Sequence, residues 1–372
     1  MSVFGTVLTI IVSFLHTIVF VRIGYLPLRK RWIPINVWIG VGIGLWLVFV
    51  LCRSLDLDGG IGRITDFVAH HWAASVFIIA VWIMVSEAIA GIAALTKQPY
   101  RSHIRTGGAA IGIFFVAVAH IQGLRSPVIT DIEISVKGLA VSLDGATIVA
   151  VSDMHIGEPT LDVGWLTDCV ETIQSLNPDV VVLVGDLFER NCAGRTDFSP
   201  ILLRLTPRWG VWAVRGNHDM VRAGRNDAVG PILADGGVRL LTNEWAVATE
   251  GLVIVGVDDL TSLRRRSGED VIAVQRAFAG QPEGTTVYLS HSPLWVDAAA
   301  EAGTDVMISG HTHNGQIWPF NYLVKTLYPY VYGKYAIDGM TLFVSRGAGA
   351  WGPRMRLWSA GEIVRITLKR CH

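Results

Sequence analysis

Four hydrophobic stretches fill the first 125 residues of this 372-residue chain. Each is close to the roughly 20 residues that an α-helix needs to cross a bilayer. A cleaved signal peptide would explain only the first stretch, and the N-terminus lacks a basic start and a small-residue cleavage site. A buried soluble helix suits one such segment but hardly four in succession. The sequence therefore predicts a transmembrane region over residues 1–125, with spans at about 2–21, 35–52, 72–95 and 107–124.

Lysine and arginine in the short loops predict the orientation of these spans, because cytoplasmic loops carry the excess. The first and third loops are basic, with Arg22, Arg29, Lys30 and Arg31 in one and Lys97, Arg101 and Arg105 in the other. The second loop mixes both signs, with Arg53, Arg63, Asp56, Asp58 and Asp66. We therefore expect an integral protein of the plasma or inner membrane whose large C-terminal domain lies on the extracytoplasmic side.

The remaining residues, 126–372, show the pattern of an α/β domain, because short apolar runs alternate with polar and helical stretches. The formal net charge of the whole chain is zero, so total charge gives no indication of nucleic-acid binding. The four cysteines form no CxxC pair and predict no chemistry. Nothing in the sequence indicates an oligomeric state. Apolar spacing predicts a helix over 163–175 and strands at 147–152, 180–184, 211–215, 252–257, 286–290, 305–309 and 341–345.

Five of these strands are followed directly by residues with metal-ligand chemistry. Open α/β sheets build their sites beyond the carboxyl ends of strands, and carboxylate, imidazole and amide groups hold borderline divalent metals. Each motif alone is weak, but five in register with five strand ends have no comparable structural explanation. The motifs are Ser152-Asp153-Met154-His155, Gly185-Asp186, Gly216-Asn217-His218-Asp219, Ser290-His291 and Gly310-His311-Thr312-His313.

The order DxH, GD, GNHD, His and GHTH resembles the calcineurin-like metallophosphoesterase superfamily over about residues 145–350. The resemblance implies a four-layer α/β/β/α sandwich with two divalent metal ions. Their identity among manganese, zinc and iron is not written in the residues. The resemblance makes Asp186 the bridge between two metals, one held by Asp153, His155 and His313 and the other by Asn217, His291 and His311.

The resemblance also implies the chemistry. A hydroxide between the two metals attacks phosphorus, and His218 protonates the leaving alkoxide. Asp219 is expected to orient the ring of His218 or to raise its pKa, although the family more often has Glu at this position.

Asn314-Gly315 stands where Gly-Gly often follows GHTH, and together with the spans it looks like the membrane-bound branch of the superfamily. Members of that branch resemble phosphohydrolases that cut the pyrophosphate of UDP-diacylglucosamine. The expected function is therefore a membrane-anchored phosphoesterase acting on a phosphoester or pyrophosphate bond of a lipid-linked substrate, since the bilayer concentrates lipid head groups near the site. A broad-specificity phosphodiesterase or phosphatase for soluble substrates stays open, as does a metal-binding module without turnover.

Two further segments leave alternatives open. The aromatic stretch from Trp318 to Tyr335 either faces a membrane interface or packs under the sheet. The arginines of the glycine-rich stretch 345–356 either clamp a second phosphate or a sugar hydroxyl, or solvate the surface.

Overall fold

The computed structural model describes residues 3–54, 59–95, 100–157, 161–189, 192, 195–223 and 229–371. The chain forms two compact units. The first comprises Met1–Leu124 with the short segment Gly352–Leu357, and the second comprises Arg125–Trp351 with Trp358–His372. We keep the domain boundary after residue 125 as a prediction, since compactness alone does not demonstrate independent folding.

The first unit is helical. Its helices are α1 (Val3–Gly24), α2 (Pro27–Trp32), α3 (Ile35–Ser54), α4 (Gly59–Leu95) and α5 (Arg101–Leu124). Among the described residues, four helical stretches are long and apolar enough to cross a membrane: Gly5–Gly24, Ile35–Ser54, Ile64–Leu95 and Arg101–Leu124. Many of their apolar side chains are exposed, as lipid-facing helices require.

The four predicted spans are therefore found as apolar helices, but two of the helices begin well before the predicted spans. Helix α5 begins at Arg101 rather than near residue 107, so that Arg101 and Arg105 lie inside the helix. Helix α4 begins at Gly59 rather than near residue 72, so that Asp66 lies inside the helix and not in a loop. A helix can continue through isolated charged residues because its backbone hydrogen bonds do not depend on side-chain polarity. Asp56, Asp58 and Lys97, used above for orientation, lie outside the described residues.

Glu87 is paired with arginines of two other helices in the first unit. Glu87 of α4 lies 2.8 Å from Arg105 of α5 and 3.5 Å from Arg22 of α1. The segment Gly352–Leu357 contacts α5, where the Arg356 N–H donates to the Ala119 carbonyl at 3.0 Å. These contacts link elements distant in sequence, and they give Glu87 a structural role between helices.

The second unit contains, among its described residues, two six-stranded sheets. The first has the order β1-β12-β2-β3-β4-β5 and the second the order β10-β11-β9-β8-β7-β6. The strands are β1 (Val128–Val136), β2 (Thr147–Val151), β3 (Val180–Val184), β4 (Val211–Val214), β5 (Val238–Leu240), β6 (Glu244–Thr249), β7 (Leu252–Gly256), β8 (Thr285–Leu289), β9 (Val306–Ser309), β10 (Gly333–Ile337), β11 (Met340–Val344) and β12 (Glu362–Arg370).

The helices of this unit lie mostly in the connections between strands. They are α6 (Val163–Ser175), α7 (Ser199–Leu202), α8 (Asn217–Ala223), α9 (Val229–Asp235), α10 (Leu260–Arg266), α11 (Asp270–Phe278), α12 (Val296–Glu301) and α13 (Phe320–Leu327). Helix α6 has the predicted bounds, and the Asp162 side chain caps it by accepting from two backbone N–H groups.

Three buried clusters show how the layers stack. Between the sheets, Ile148 and Val182 of the first share a core with Ile254 and Val287 of the second. The outer face of the first sheet packs on α6, α7 and α9, and the outer face of the second packs on α10, α11 and α12. This arrangement confirms the α/β/β/α class, because strands buried on both faces need a layer on each side.

The parallel strands position the site. Strands β2, β3 and β4 are parallel neighbours in the first sheet, and β8 and β9 are parallel neighbours in the second. Their carboxyl ends therefore lie at one edge of each sheet. All seven predicted strands are present, each within one residue at either end.

Candidate metal centre

The residues at these strand ends come together as the motif order predicts. Asp153 and His155 follow β2, Asp186 follows β3 and Asn217 opens α8 after β4. From the second sheet, His291 follows β8, and His311 and His313 follow β9. Asp153, His155, Asp186 and His291 are at most 2% exposed.

The site divides into two groups of donor atoms. In the first, His155 Nε2 lies 3.1 Å from His313 Nε2, which lies 3.2 Å from Asp153 Oδ1. In the second, His291 Nε2 lies 3.1 Å from Asp186 Oδ2 and 3.3 Å from His311 Nδ1. Asp186 Oδ2 is also 3.9 Å from His155 Nε2, so this single carboxylate reaches both groups.

The donor chemistry fits divalent cations. His155 Nδ1 is 2.7 Å from a carboxylate oxygen of Glu189, which can only accept, so Nε2 of the neutral ring carries a lone pair toward His313. Two imidazole nitrogens 3.1 Å apart can share a proton or bind one cation together. Asn217 Oδ1 is buried and has no hydrogen-bond partner among the described residues, as a metal-ligand oxygen would be. The residues present therefore form the Asp/His pattern of a dimetal site.

Opposite charges in the site shift the pKa values of its buried carboxylates and histidines. Burial would raise the pKa of Asp186, but the positive charges of His291 and His218 hold it well below its usual range. The charge of His313 and its hydrogen bond act in the same way on the pKa of Asp153. Burial and the charge of His291 lower the pKa of His311, which favours the neutral ring that a metal requires. The pocket thus holds its carboxylates ionised.

The backbone at the site is locally unusual. Left-handed φ angles between 49° and 71° occur at Asp153, His155, Asp186, His311 and His313. For non-glycine residues this conformation is uncommon, and it clusters at functional sites. Glycines give the necessary room, since a Cβ at Gly216 would lie 2.1 Å from Asp186 Oδ1. Left-handed φ also explains Asn314, at 49°, because asparagine tolerates this region better than other residues with a Cβ.

His218 lies beside the first group of donors, and its ring contacts Glu189 and Trp351. Its Nδ1 is 2.7 Å from Glu189 Oε1, and its ring meets the ring of Trp351 edge-on at 6.3 Å. Burial would lower the pKa of His218, but the negative charges of Asp186 and Glu189 raise it to about 10. Its side chain is 26% exposed. The ring is therefore protonated at neutral pH and reachable from solvent.

The carboxylate that bonds His218 is Glu189 and not Asp219. Asp219 instead accepts backbone N–H groups of Leu187, Phe188 and Gly216 at 2.9 to 3.2 Å. It ties the GD loop to the GNHD loop and acts on the pKa of His218 only through its charge. Burial and the charge of Asp186 raise the pKa of Asp219 itself to about 6.

Sequence reasoning missed Glu189, which bonds both His155 and His218. Its only sequence signal is an acidic residue three positions after Asp186, in the same loop. Burial would raise the pKa of Glu189, but the charge of His218 and hydrogen bonds from both histidines hold it well below its usual range.

The structure gives contacts for the aromatic stretch and the glycine-rich stretch, whose roles the sequence left undecided. Tyr328 places its hydroxyl 2.7 Å from His311 Nε2, so one ring of the aromatic stretch touches the donor set. Arg346 lies 3.2 Å from Glu362, which is fully buried, and stacks on the ring of Tyr332. Arg356 is 2% exposed. Arg346 thus pairs with a buried carboxylate and Arg356 does not solvate the surface.

A helix-flanked double sheet carrying an Asp/His dimetal pattern at its strand ends defines a metallohydrolase class of protein. Comparison with known sequences agrees. The profile of the calcineurin-like phosphoesterases matches residues 146–315. An uncharacterized metallophosphoesterase from Aquifex aeolicus is 30% identical over 60% of this chain and 84% of its own length. The chain therefore belongs to the calcineurin-like metallophosphoesterases.

Other similar proteins extend this picture. A transmembrane protein with metallophosphoesterase domain from Danio rerio is 32% identical over 70% of this chain. The chain spans 62% of the length of that relative. Among solved structures, a dimetal phosphatase from Danio rerio aligns with 55% of this chain and 88% of its own at 12% identity, with a TM-score of 0.34. Together with the four apolar helices, the named relative supports a membrane protein.

Proposed function

We propose that this chain is a membrane-anchored, dinuclear metal-dependent phosphoesterase whose substrate is a lipid-linked phosphoester or pyrophosphate. The observation that carries the catalytic part is Asp186, whose Oδ2 reaches both donor groups. Two divalent cations at such a site would polarise phosphate oxygens and lower the pKa of bound water to near neutrality. Asp153, His155 and His313 would hold one cation, Asn217, His291 and His311 the other, and Asp186 both.

The side chains around the cations have separate tasks in this proposal. The charges of Asp186 and Glu189 keep the His218 ring protonated on both nitrogens, so that Nδ1 donates to Glu189 and Nε2 delivers its proton to the leaving oxygen. Asp219 supports the loop that positions both His218 and Asp186.

Hydrolysis of bis-p-nitrophenyl phosphate by the detergent-solubilised chain, with and without manganese, tests the catalytic part. We expect metal-dependent turnover that is lost in Asp186→Ala, because neither donor group keeps its shared carboxylate. Asp168→Ala is the matched control, since Asp168 is exposed on α6. Equal turnover by Asp186→Ala and the parent chain would refute the dinuclear mechanism.

An exposed apolar stripe beside the site supports the lipid-linked substrate. Phe320, Leu323 and Leu327 of α13 are 39%, 52% and 70% exposed and recur at helical spacing. The helix follows the GHTH loop, and the residue after it, Tyr328, contacts His311. Exposed apolar side chains next to a polar site suit acyl chains or a lipid surface.

Acyl-chain dependence separates this substrate class from soluble phosphodiesters. We expect kcat/KM to be higher for a phosphodiester carrying acyl chains than for the same head group without them. Leu323→Asp with Leu327→Asp should reduce only the preference for the acylated substrate, by about tenfold if two apolar contacts are lost. Leu203→Asp, at a position 55% exposed elsewhere in the unit, is the control. Equal kcat/KM for both substrates would instead support a broad-specificity enzyme.

An extracytoplasmic catalytic domain is supported by the distribution of basic residues. The first loop is basic, and Arg101 and Arg105 both precede the fourth predicted span. A reporter protein fused after His372 tests this side. Activity of a reporter that works only in the cytoplasm would refute the orientation and leave the enzyme assignment intact.

A further inference from the structure

Trp351 is an exposed tryptophan that lies beside His218, the proton donor of the proposed function. The His218 ring meets two other rings edge-on: that of His155, with centroids 4.9 Å apart, and that of Trp351, at 6.3 Å. His155 belongs to the first donor group, whereas the indole of Trp351 offers no atom that binds a divalent metal. Trp351 is 40% exposed. Its indole therefore borders the site without belonging to the donor set.

The backbone of Trp351 is held by the side chain of one buried residue, Gln316, which is 7% exposed. Gln316 Nε2 donates to the Trp351 carbonyl at 3.1 Å, and Gln316 Oε1 accepts from the Trp351 N–H at 2.9 Å. Gln316 follows the GHTH loop, where its own N–H donates to the His313 carbonyl at 3.0 Å. The loop that carries His313 thereby also holds Trp351.

A second loop of the site holds the residues just before Trp351. The Gly349 N–H donates to the Asp153 carbonyl at 2.9 Å. The two loops approach so closely that a Cβ on Gly349 would lie 2.1 Å from the Met154 carbonyl oxygen. Trp351 is therefore fixed to both loops that carry the first donor group. A single exposed apolar side chain needs no explanation, but one whose backbone is held from two sides is preorganised to contact a ligand.

The position of Trp351 relates it to the leaving group of the reaction. An oxygen that takes a proton from His218 lies about 3 Å from the donor nitrogen. The group bonded to that oxygen then comes within reach of the indole, whose centroid is 6.3 Å from that of the His218 ring. Aromatic rings attract one another at such distances in edge-to-face or offset arrangements, beyond the effect of buried area.

We propose that Trp351 forms one wall of the leaving-group subsite and favours leaving groups that carry a flat aromatic ring. Gln316 is a positioning residue for this subsite, since it acts through Trp351. The proposal rests on the role of His218 in the proposed function. It goes further because it names the shape that the site selects on the side of the bond that His218 protonates.

The first experiment compares methyl phenyl phosphate with methyl hexafluoroisopropyl phosphate, whose leaving groups are similar in acidity but differ in shape. The ratio of their kcat/KM values with manganese therefore reports contact with the ring. Trp351→Ala should lower the phenyl preference about threefold to tenfold, and Trp351→Phe should restore most of it. Gln316→Met should lower it in part, because Trp351 loses both hydrogen bonds. Trp295→Ala is the control, since Trp295 is 38% exposed elsewhere in the unit. An unchanged ratio in Trp351→Ala would refute the subsite.

The second experiment measures binding without turnover, by ¹⁹F NMR of the full, detergent-solubilised chain with fluorotryptophan incorporated and zinc added. The signal of Trp351 is identified by its loss in Trp351→Phe. Benzylphosphonate, which cannot be hydrolysed, should shift this signal, whereas ethylphosphonate should not. The signal of Trp295, whose Nε1 donates to Asp270, should move with neither.

The two experiments separate this subsite from the proposed function. A Trp351 signal that shifts only with benzylphosphonate, in a chain that hydrolyses no phosphoester, would support the subsite and refute the enzyme assignment. An unmoved Trp351 signal, or an equal shift with ethylphosphonate, would overturn the subsite even in a chain that hydrolyses phosphoesters.

Discussion

Replacing Glu189 by glutamine tests how the proton donor is tuned. The carboxylate lies 2.7 Å from Nδ1 of His218 and is one of the anions that raise the pKa of that ring to about 10. Bound cations would offset the negative charge of Asp186, so Glu189 becomes the main anion that raises the pKa of His218. Glutamine keeps the shape and a hydrogen bond but removes the charge. The pKa of His218 should therefore fall.

The size of this effect follows from the contact. A hydrogen bond to a charged partner contributes about 1.5–3 kcal/mol, and about 1.4 kcal/mol corresponds to one pKa unit. Both side chains are largely buried, at 26% and 14% exposed, so solvent screens the pair only in part. We expect the alkaline limb of the pH–rate profile to move down by roughly one to two pH units. The sign is fixed because loss of a negative neighbour favours deprotonation of the imidazolium.

The assay is kcat against pH for an ester with a poor leaving group, where protonation of the leaving oxygen limits the rate. Glu189 also bonds His155, so turnover is normalised to the metal content of each preparation. Glu171→Gln serves as the control, since Glu171 is 58% exposed and pairs with Arg204 on the surface. An alkaline limb at the same pH in Glu189→Gln and the parent chain would refute the assignment of His218 as the proton donor tuned by Glu189.

Substitutions at three further positions distinguish a residue with a chemical role from residues that support the fold. His218→Ala should keep two metals per chain but lose most turnover on esters with poor leaving groups, with little loss on p-nitrophenyl esters; comparing both substrates checks this. Asp219→Ala should lower the free energy of unfolding by roughly 3 kcal/mol or more, because three buried N–H groups lose their acceptor, and denaturant titration measures it. Asn314→Val should cost about 1–2 kcal/mol because φ is 49° there, whereas Asn314→Gly should not destabilise; thermal melting compares the two.

Much of the fold could be predicted because its signals are local. The apolar spans, the helix over 163–175 and seven buried strands each depend on periodicity within one segment. The strands that were missed carry weaker signals. Strand β5 has only three residues, and β1 alternates exposed charged residues such as Asp131 and Glu133 with apolar ones, so that neither forms a continuous apolar run.

The donor set of the site could be predicted for a different reason. Parallel strands end at a common edge, so motifs after five strands converge whatever the loops do in detail. Glu189 and the contact of Tyr328 with His311 could not be predicted in the same way. No spacing in the sequence links Tyr328 to His311. Its role arises only when tertiary structure brings the Tyr328 hydroxyl within 2.7 Å of His311 Nε2.

The contacts behind the donor atoms explain why such residues matter as much as the ligands. Each inward-facing nitrogen depends on what its other ring nitrogen touches: Glu189 for His155, the Val184 carbonyl for His291 and Tyr328 for His311. A carboxylate, a carbonyl and a hydroxyl differ in how firmly they hold the ring proton, because only the hydroxyl can reverse its direction. The His311 side of the site is thus the one where reorientation of a neighbouring hydroxyl would affect a bound metal. We therefore expect metal selectivity to vary most readily in that subsite.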